Sequence, residues 1–260
     1  MLSRLPTDPR PRGLPAVPPG QVEPDLRRVT RLDRAWRFAP SDVPGAEDPA
    51  YDDSGWATID LPHTWNDRDG QDGGNDYHRG VGWYRTHCPV PGDQSSRVLF
   101  LKFDGASLIT GLYVNGTFAG EHRGGFAAFA WDITPHLAVG RDNVLAVKVS
   151  NAFHPDVPPL ECDFTIGGGL YRHVWLISTE PLHVSLTDFA SPGLYLTPMN
   201  ASAEAADLRS RPGCETTVRA PARRRFGQRS LTTRARWLLP SRPRRRWPRA
   251  PAGTSCRAPP

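Results

Sequence analysis

The chain is 260 residues long, room for one large domain or two small ones, and only 38% of it is hydrophobic. No apolar run approaches the ~20 residues of a membrane-spanning helix, so no membrane partner is expected. The formal charge of +5 is uneven: residues 201–260 carry 15 Arg against 3 acids, a net +12, which leaves residues 1–200 at −7. Phosphate attraction by such a tail is nonspecific and salt-dependent, so no specific nucleic-acid partner is expected.

The cysteines, Cys88, Cys162, Cys214 and Cys256, include no Cys-x-x-Cys pair. That spacing argues against a zinc ribbon or a thioredoxin-like site, makes a poor disulfide framework, and fits a reducing cytoplasm. Residues 1–25 hold seven prolines and no continuous apolar stretch. They read as a disordered or extended leader without an ordinary secretory signal, and the true start could lie within them.

A first strand is expected over 31–40, although Leu32, Ala35, Trp36 and Phe38 do not alternate cleanly. Asp52-Asp53-Ser54-Gly55 reads as a turn before the apolar anchor Trp56. Residues 59–65 read as a short extended segment, and 66–77 as a loop dense in Asp, Gly and Asn of a length that is often functional. Strands are then expected over 81–90, 97–103 and 107–114. Asn115-Gly116 is the strongest hairpin signal in the chain. Further strands are expected over 126–131, 143–149 and 166–177, and a last one near 183–186, with Asp132-Ile133-Thr134 as a short helical or turn start. Eight to ten short strands with almost no helical periodicity predict an all-β sandwich. Past Arg209 the alternation ends in Arg223-Arg224-Arg225, Arg242-Pro243-Arg244-Arg245-Arg246 and eight prolines. That composition predicts a disordered basic tail over 209–260. It resembles translation in a shifted frame of a GC-rich gene, which the downstream DNA tests.

A run of motifs resembles glycoside hydrolase family 2 (β-galactosidases, β-glucuronidases and β-mannosidases). They are Leu61-Pro62-His63-Thr64-Trp65-Asn66, Arg79-Gly80-Val81-Gly82-Trp83-Tyr84-Arg85, Phe103-Asp104-Gly105, Val114-Asn115-Gly116 and Gly120-Glu121-His122-Arg123-Gly124-Gly125-Phe126. Asp132-Ile133-Thr134, Asn143-Val144-Leu145-Ala146-Val147 and Gly168-Gly169-Leu170-Tyr171-Arg172 follow in the same order. The likeness covers about 32–208. It implies a jelly-roll, galactose-binding-like sugar-binding domain over 26–190 and the start of an immunoglobulin-like sandwich over 191–208. In the family a catalytic (β/α)₈ barrel follows.

Retaining glycosidases need two carboxyl groups about 5–5.5 Å apart. In this family both are barrel glutamates and the acid/base follows an Asn. Here none of the seven glutamates (Glu23, Glu47, Glu121, Glu161, Glu180, Glu204 and Glu215) follows Asn, and a barrel needs ~200 residues or more. No catalytic residue is therefore assigned, and the chain is expected to be inactive alone.

The resemblance makes Asp163 a loop carboxylate that reaches from this domain toward the barrel's active site; the alternative is a solvated loop acid. Asn75 and Asp76 carry the same two readings. Trp83, Tyr84, Trp131 and Trp175 read as core before sugar platforms, His122 and Arg123 as turn-stabilising, and Arg85 and Arg172 as buried or interface ion pairs. Residues 67–78 depart from a calcium loop at the sixth position (Asp72) and the twelfth (His78). No metal and no cofactor are expected. The expected partner is a β-glycoside, bound weakly if at all. A free-standing carbohydrate-binding module is the alternative function, and a nucleic-acid binder through the tail is a more distant one.

Overall fold

The computed structural model describes residues 27–70, 72, 76–160, 164–201, 205–212, 214–216 and 231–236. They divide into two units, one running to Gly193 and taking in 214–216, the other holding 194–201, 205–212 and 231–236. The first unit is a sandwich of two antiparallel sheets. Its six-stranded sheet has the order β3-β2-β4-β9-β6-β7: Ala57–Ile59, Trp36–Ala39, Val81–Pro89, Asp142–Ser150, Ile109–Val114 and Thr117–Arg123. The four-stranded sheet has the order β1-β10-β5-β8: Arg27–Arg31, Val174–Thr179, Val98–Phe103 and Phe129–Asp132. Apart from two short 3₁₀ turns, at Gly92–Gln94 and Thr134–His136, the described residues contain no helix.

Burial follows from the period-2 geometry of a strand. Along β6, Thr110, Leu112 and Val114 are buried while the residues between them are only partly so. Leu112 and Val114 meet Tyr84 of β4, Leu145, Val147 and Val149 of β9, and Leu99, Leu101 and Phe103 of β5 in the inter-sheet core. Trp36 and Tyr84, both fully buried, pack edge to face at its centre. Strand β4 is buried on both faces because residues 42–56 fold across its outer side. There the Arg85 guanidinium pairs with Asp53 at 2.8 Å and donates to the carbonyls of Ala46, Asp48 and Tyr51. A cation only 1% exposed persists because its N–H groups are met.

The hairpin expected at Asn115-Gly116 joins β6 to β7, with positive φ at both turn residues. The turn at Asp52 also forms, Ser54 N donating to Asp52 Oδ1 at 3.0 Å. Two expected strands are cut differently. The chain over 31–40 leaves the four-stranded sheet after Arg31, turns at Ala35 (φ +57°) where its N–H donates to Asp60 Oδ1, and enters the six-stranded sheet at Trp36. A segment that changes sheet changes which side faces the core, hence the broken alternation. Over 166–177 pairing in a named strand starts only at Val174, because residues 166–171 cross the end of the sandwich.

Strand β11 (Leu182–Val184) pairs with β14 (Cys214–Thr216) in the first unit. In the second, β12 (Leu194–Met199) pairs with β13 (Ala205–Pro212), and β13 with β15 (Leu231–Arg236). These pairings run past residue 208, where composition predicted no element. Backbone pairing needs only extended residues, and β-branched Thr232-Thr233 supply them without alternation. The leader 1–25 and the rest of the 209–260 tail lie outside the described residues.

Candidate functional site

Strand polarity gathers the long loops at one end. Val81 of β4 lies opposite Ser150 of β9, Ile109 of β6 opposite both Ser150 and Arg123 of β7, and Phe103 of β5 opposite Phe129 of β8 and Val174 of β10. The described residues of loops 66–80, 104–108, 124–128 and 151–173 therefore share one rim.

Two buried asparagines fasten that rim. Asn66 Oδ1 accepts from Gly168 N at 2.8 Å, and its Nδ2 donates to the His78 carbonyl and to Asp69 Oδ1, both at 3.0 Å. Asn151, immediately after β9, accepts from Gly80 N at 2.8 Å and donates from Nδ2 to the Ile166 carbonyl at 2.8 Å and to Asn66 Oδ1 at 3.2 Å. Buried amides with their donors and acceptors met hold loops rigidly. Ile166 N donates to the Tyr77 hydroxyl at 3.1 Å, and Thr165 Oγ1 donates to the Gly70 carbonyl at 2.9 Å. The segments around 70–78 and 164–168 are thus tied directly to each other.

The glycine motif packs face on against 63–65. His63 N donates to the Leu170 carbonyl at 2.8 Å and Trp65 N to the Gly168 carbonyl at 3.3 Å. A Cβ on Gly168 would stand 2.0 Å from Trp65 Cζ2, and one on Gly82 2.6 Å from Trp65 Cζ3, so the indole fits only between two glycines. The electrostatics are those of a structural clamp. Burial lowers the His63 imidazole's proton affinity and raises the Tyr84 phenol's pKa, with the two groups 2.8 Å apart. The His78 main-chain N–H, donating at 2.8 Å, holds the Asp69 carboxyl below its usual range.

Beside the clamp opens a cavity of about 260 Å³ lined by Thr64, Ser107, Phe126, Phe164, Thr165, Ile166, Gly167 and Tyr171.

Among the expected site residues, Asp76 is exposed on the rim one residue before Tyr77. Asn75 and Asp163 lie outside the described residues. The described neighbours of all three, Tyr77 on one side and Phe164 to Ile166 on the other, are brought together. Trp83 is core, 3% exposed, its indole N–H on Asp42 at 3.1 Å, and Tyr84 is fully buried. Half-buried Trp131 packs edge to face on Phe103, and half-buried Trp175 donates to Asp104 Oδ2 at 2.6 Å. His122 is a strand residue stacked on Phe129, ring centroids 4.0 Å apart, rather than a turn residue. Arg123 pairs with Asp156 at 2.8 Å. Arg85 is the buried ion pair expected of it, but Arg172 is exposed and lies over the Tyr171 ring. Asn66 and Asn151 were not singled out from the sequence. The available signal was position: each ends an apolar run, where a short amide side chain can accept loop N–H groups.

Two antiparallel sheets closed over one core, with a rim of tethered loops at one end, define a sandwich that presents loops. The chain belongs to glycosyl hydrolases family 2: residues 29–180 match the model of the family's sugar binding domain. It is similar to a β-glucuronidase of Formosa agariphila, 35% identical over 191 residues that make up 66% of this chain and 20% of that protein. It also resembles a β-glucuronidase of Bacteroides fragilis, 41% identical over 138 residues, 53% of this chain and 20% of that one. The solved β-glucuronidase 2 of Bacteroides uniformis superposes with a TM-score of 0.71 at 34% identity, covering 81% of this chain and 26% of that one. The chain spans about a fifth of the length of these curated relatives.

Proposed function

We propose that this domain is the non-catalytic, sugar-facing sandwich of a β-glycosidase that hydrolyses O-glycosyl bonds, and that the chain by itself leaves those bonds intact. Asp163, Asn75 and Asp76 accept hydroxyl groups of a sugar held mainly by a catalytic domain. The supporting observation is the fastening of the described residues of 66–80 to 164–168 through Asn66 and Asn151, since those residues border Asn75 and Asp163 in the chain and include Asp76. The cysteine usage, with Cys88 a buried free thiol, fits a reducing cytoplasm.

The sugar is a β-glucuronide or β-galactoside by analogy with the relatives, and contact through one rim alone supports only weak binding. Titrating the chain with methyl β-D-glucuronide and methyl β-D-galactoside, followed by NMR, should give a Kd of about 1 mM or weaker. Shifts should concentrate at 64–78 and 164–168 and shrink in Asp163→Asn. Shifts spread elsewhere, or unchanged in Asp163→Asn and Asp76→Asn alike, would refute the assignment.

A further inference from the structure

We propose that the cavity between loops 124–126 and 164–171 is a subsite for a flat aromatic substituent on the sugar, a leaving group of one or two rings. This rests on the sugar-facing reading above and adds the class of glycoside to it. Phe126, 61% exposed, and Phe164, 56% exposed, belong to different loops and both line the cavity. Ile166 and Tyr171 add apolar wall, and the Tyr171 hydroxyl is engaged by the Gly125 carbonyl. A face of that composition prefers a π-system to a hydroxylated ring, because aromatic contact gains from stacking while an unpaired sugar hydroxyl would be desolvated there.

Size and position agree. Pockets for drug-sized ligands run roughly 300–1,000 Å³, so a cavity of about 260 Å³ is of a size for a ring or two. Phe164 and Thr165, both in the cavity lining, directly follow Asp163 in the chain, which links the cavity to the sugar-facing reading. Thr165 is also tethered to Gly70, which keeps that wall in place.

The test is saturation-transfer NMR on the whole chain with three probes: 4-nitrophenol, 4-nitrophenyl β-D-glucuronide and methyl β-D-glucuronide. Saturation should reach the ring protons of both aromatic probes. Affinity for both should fall about three- to tenfold in Phe126→Ala, the loss expected of one aromatic contact. Phe153→Ala, which removes an aromatic 60% exposed outside the cavity, should leave both unchanged. Because Phe126 is exposed, its truncation leaves the core intact, and the thermal midpoint of each variant confirms that. Absence of ring saturation, or equal binding by Phe126→Ala and the parent chain, overturns the subsite. If the methyl glycoside still binds and responds to Asp163→Asn in that case, the sugar-facing reading survives. If the rings bind through Phe126 but no probe responds to Asp163→Asn, the subsite stands and the carboxylate assignment falls.

Discussion

His63 and His122 are side chains whose burial opposes protonation. An imidazole with a folded pKa below its unfolded value of 6.5 is protonated more readily in the unfolded chain. Unfolding then takes up protons as pH falls through 6.5, and stability declines on acidification from that point until the folded pKa is passed. The urea midpoint should be lower at pH 5.5 than at pH 7.5, and the drop should shrink in His63→Gln. A midpoint flat across that window, or a drop identical in His63→Gln, would show that His63 does not titrate this way. Carboxylates with lowered pKa, such as Asp69 and Asp42, lose their contribution only below about pH 4, so the two windows separate. The buried asparagines do not titrate; they hold the rim over the whole range.

At the scale of elements, three blocks far apart in sequence converge on one indole: Trp65 packs between Gly82 of β4 and Gly168 of the crossing loop, with Phe38 of β2 stacked at 5.9 Å. Gly168→Ala puts a methyl into that ring and should cost about 1–3 kcal/mol, the usual penalty of overpacking. Gly111→Ala in β6, whose nearest neighbour to a new methyl is 3.8 Å away, should change stability by well under that. Thermal melts of the two variants check the contrast, and equal losses would contradict the clamp. The strands themselves were legible: short apolar runs bounded by turn residues located β4, β5, β6 and β9, and Asn115-Gly116 located the hairpin. What stayed hidden were places where the chain changes partner, at Leu32 to Ala35 between sheets and at 166–171 across the rim. Alternation describes one face of one sheet and is silent when a segment moves between them. The fastening role of Asn66 and Asn151 was hidden for a related reason, since it arises from loops adjacent only after folding.

For the whole molecule, the two sheets of the first unit close over an apolar core, and Asp76, the described member of the expected acceptors, is an exposed loop carboxylate. Family membership was legible because many short motifs keep their order, and structure explains why they travel together: several are parts of the same clamp. The proposed division of labour puts shape and hydrogen-bond acceptors in this domain and bond cleavage in a catalytic domain. The most direct test is to incubate the purified chain with 4-nitrophenyl β-D-glucuronide and β-D-galactoside and follow nitrophenolate release. The account predicts release no faster than in buffer. Release by the chain that disappears when one of its own carboxylates is replaced would contradict it.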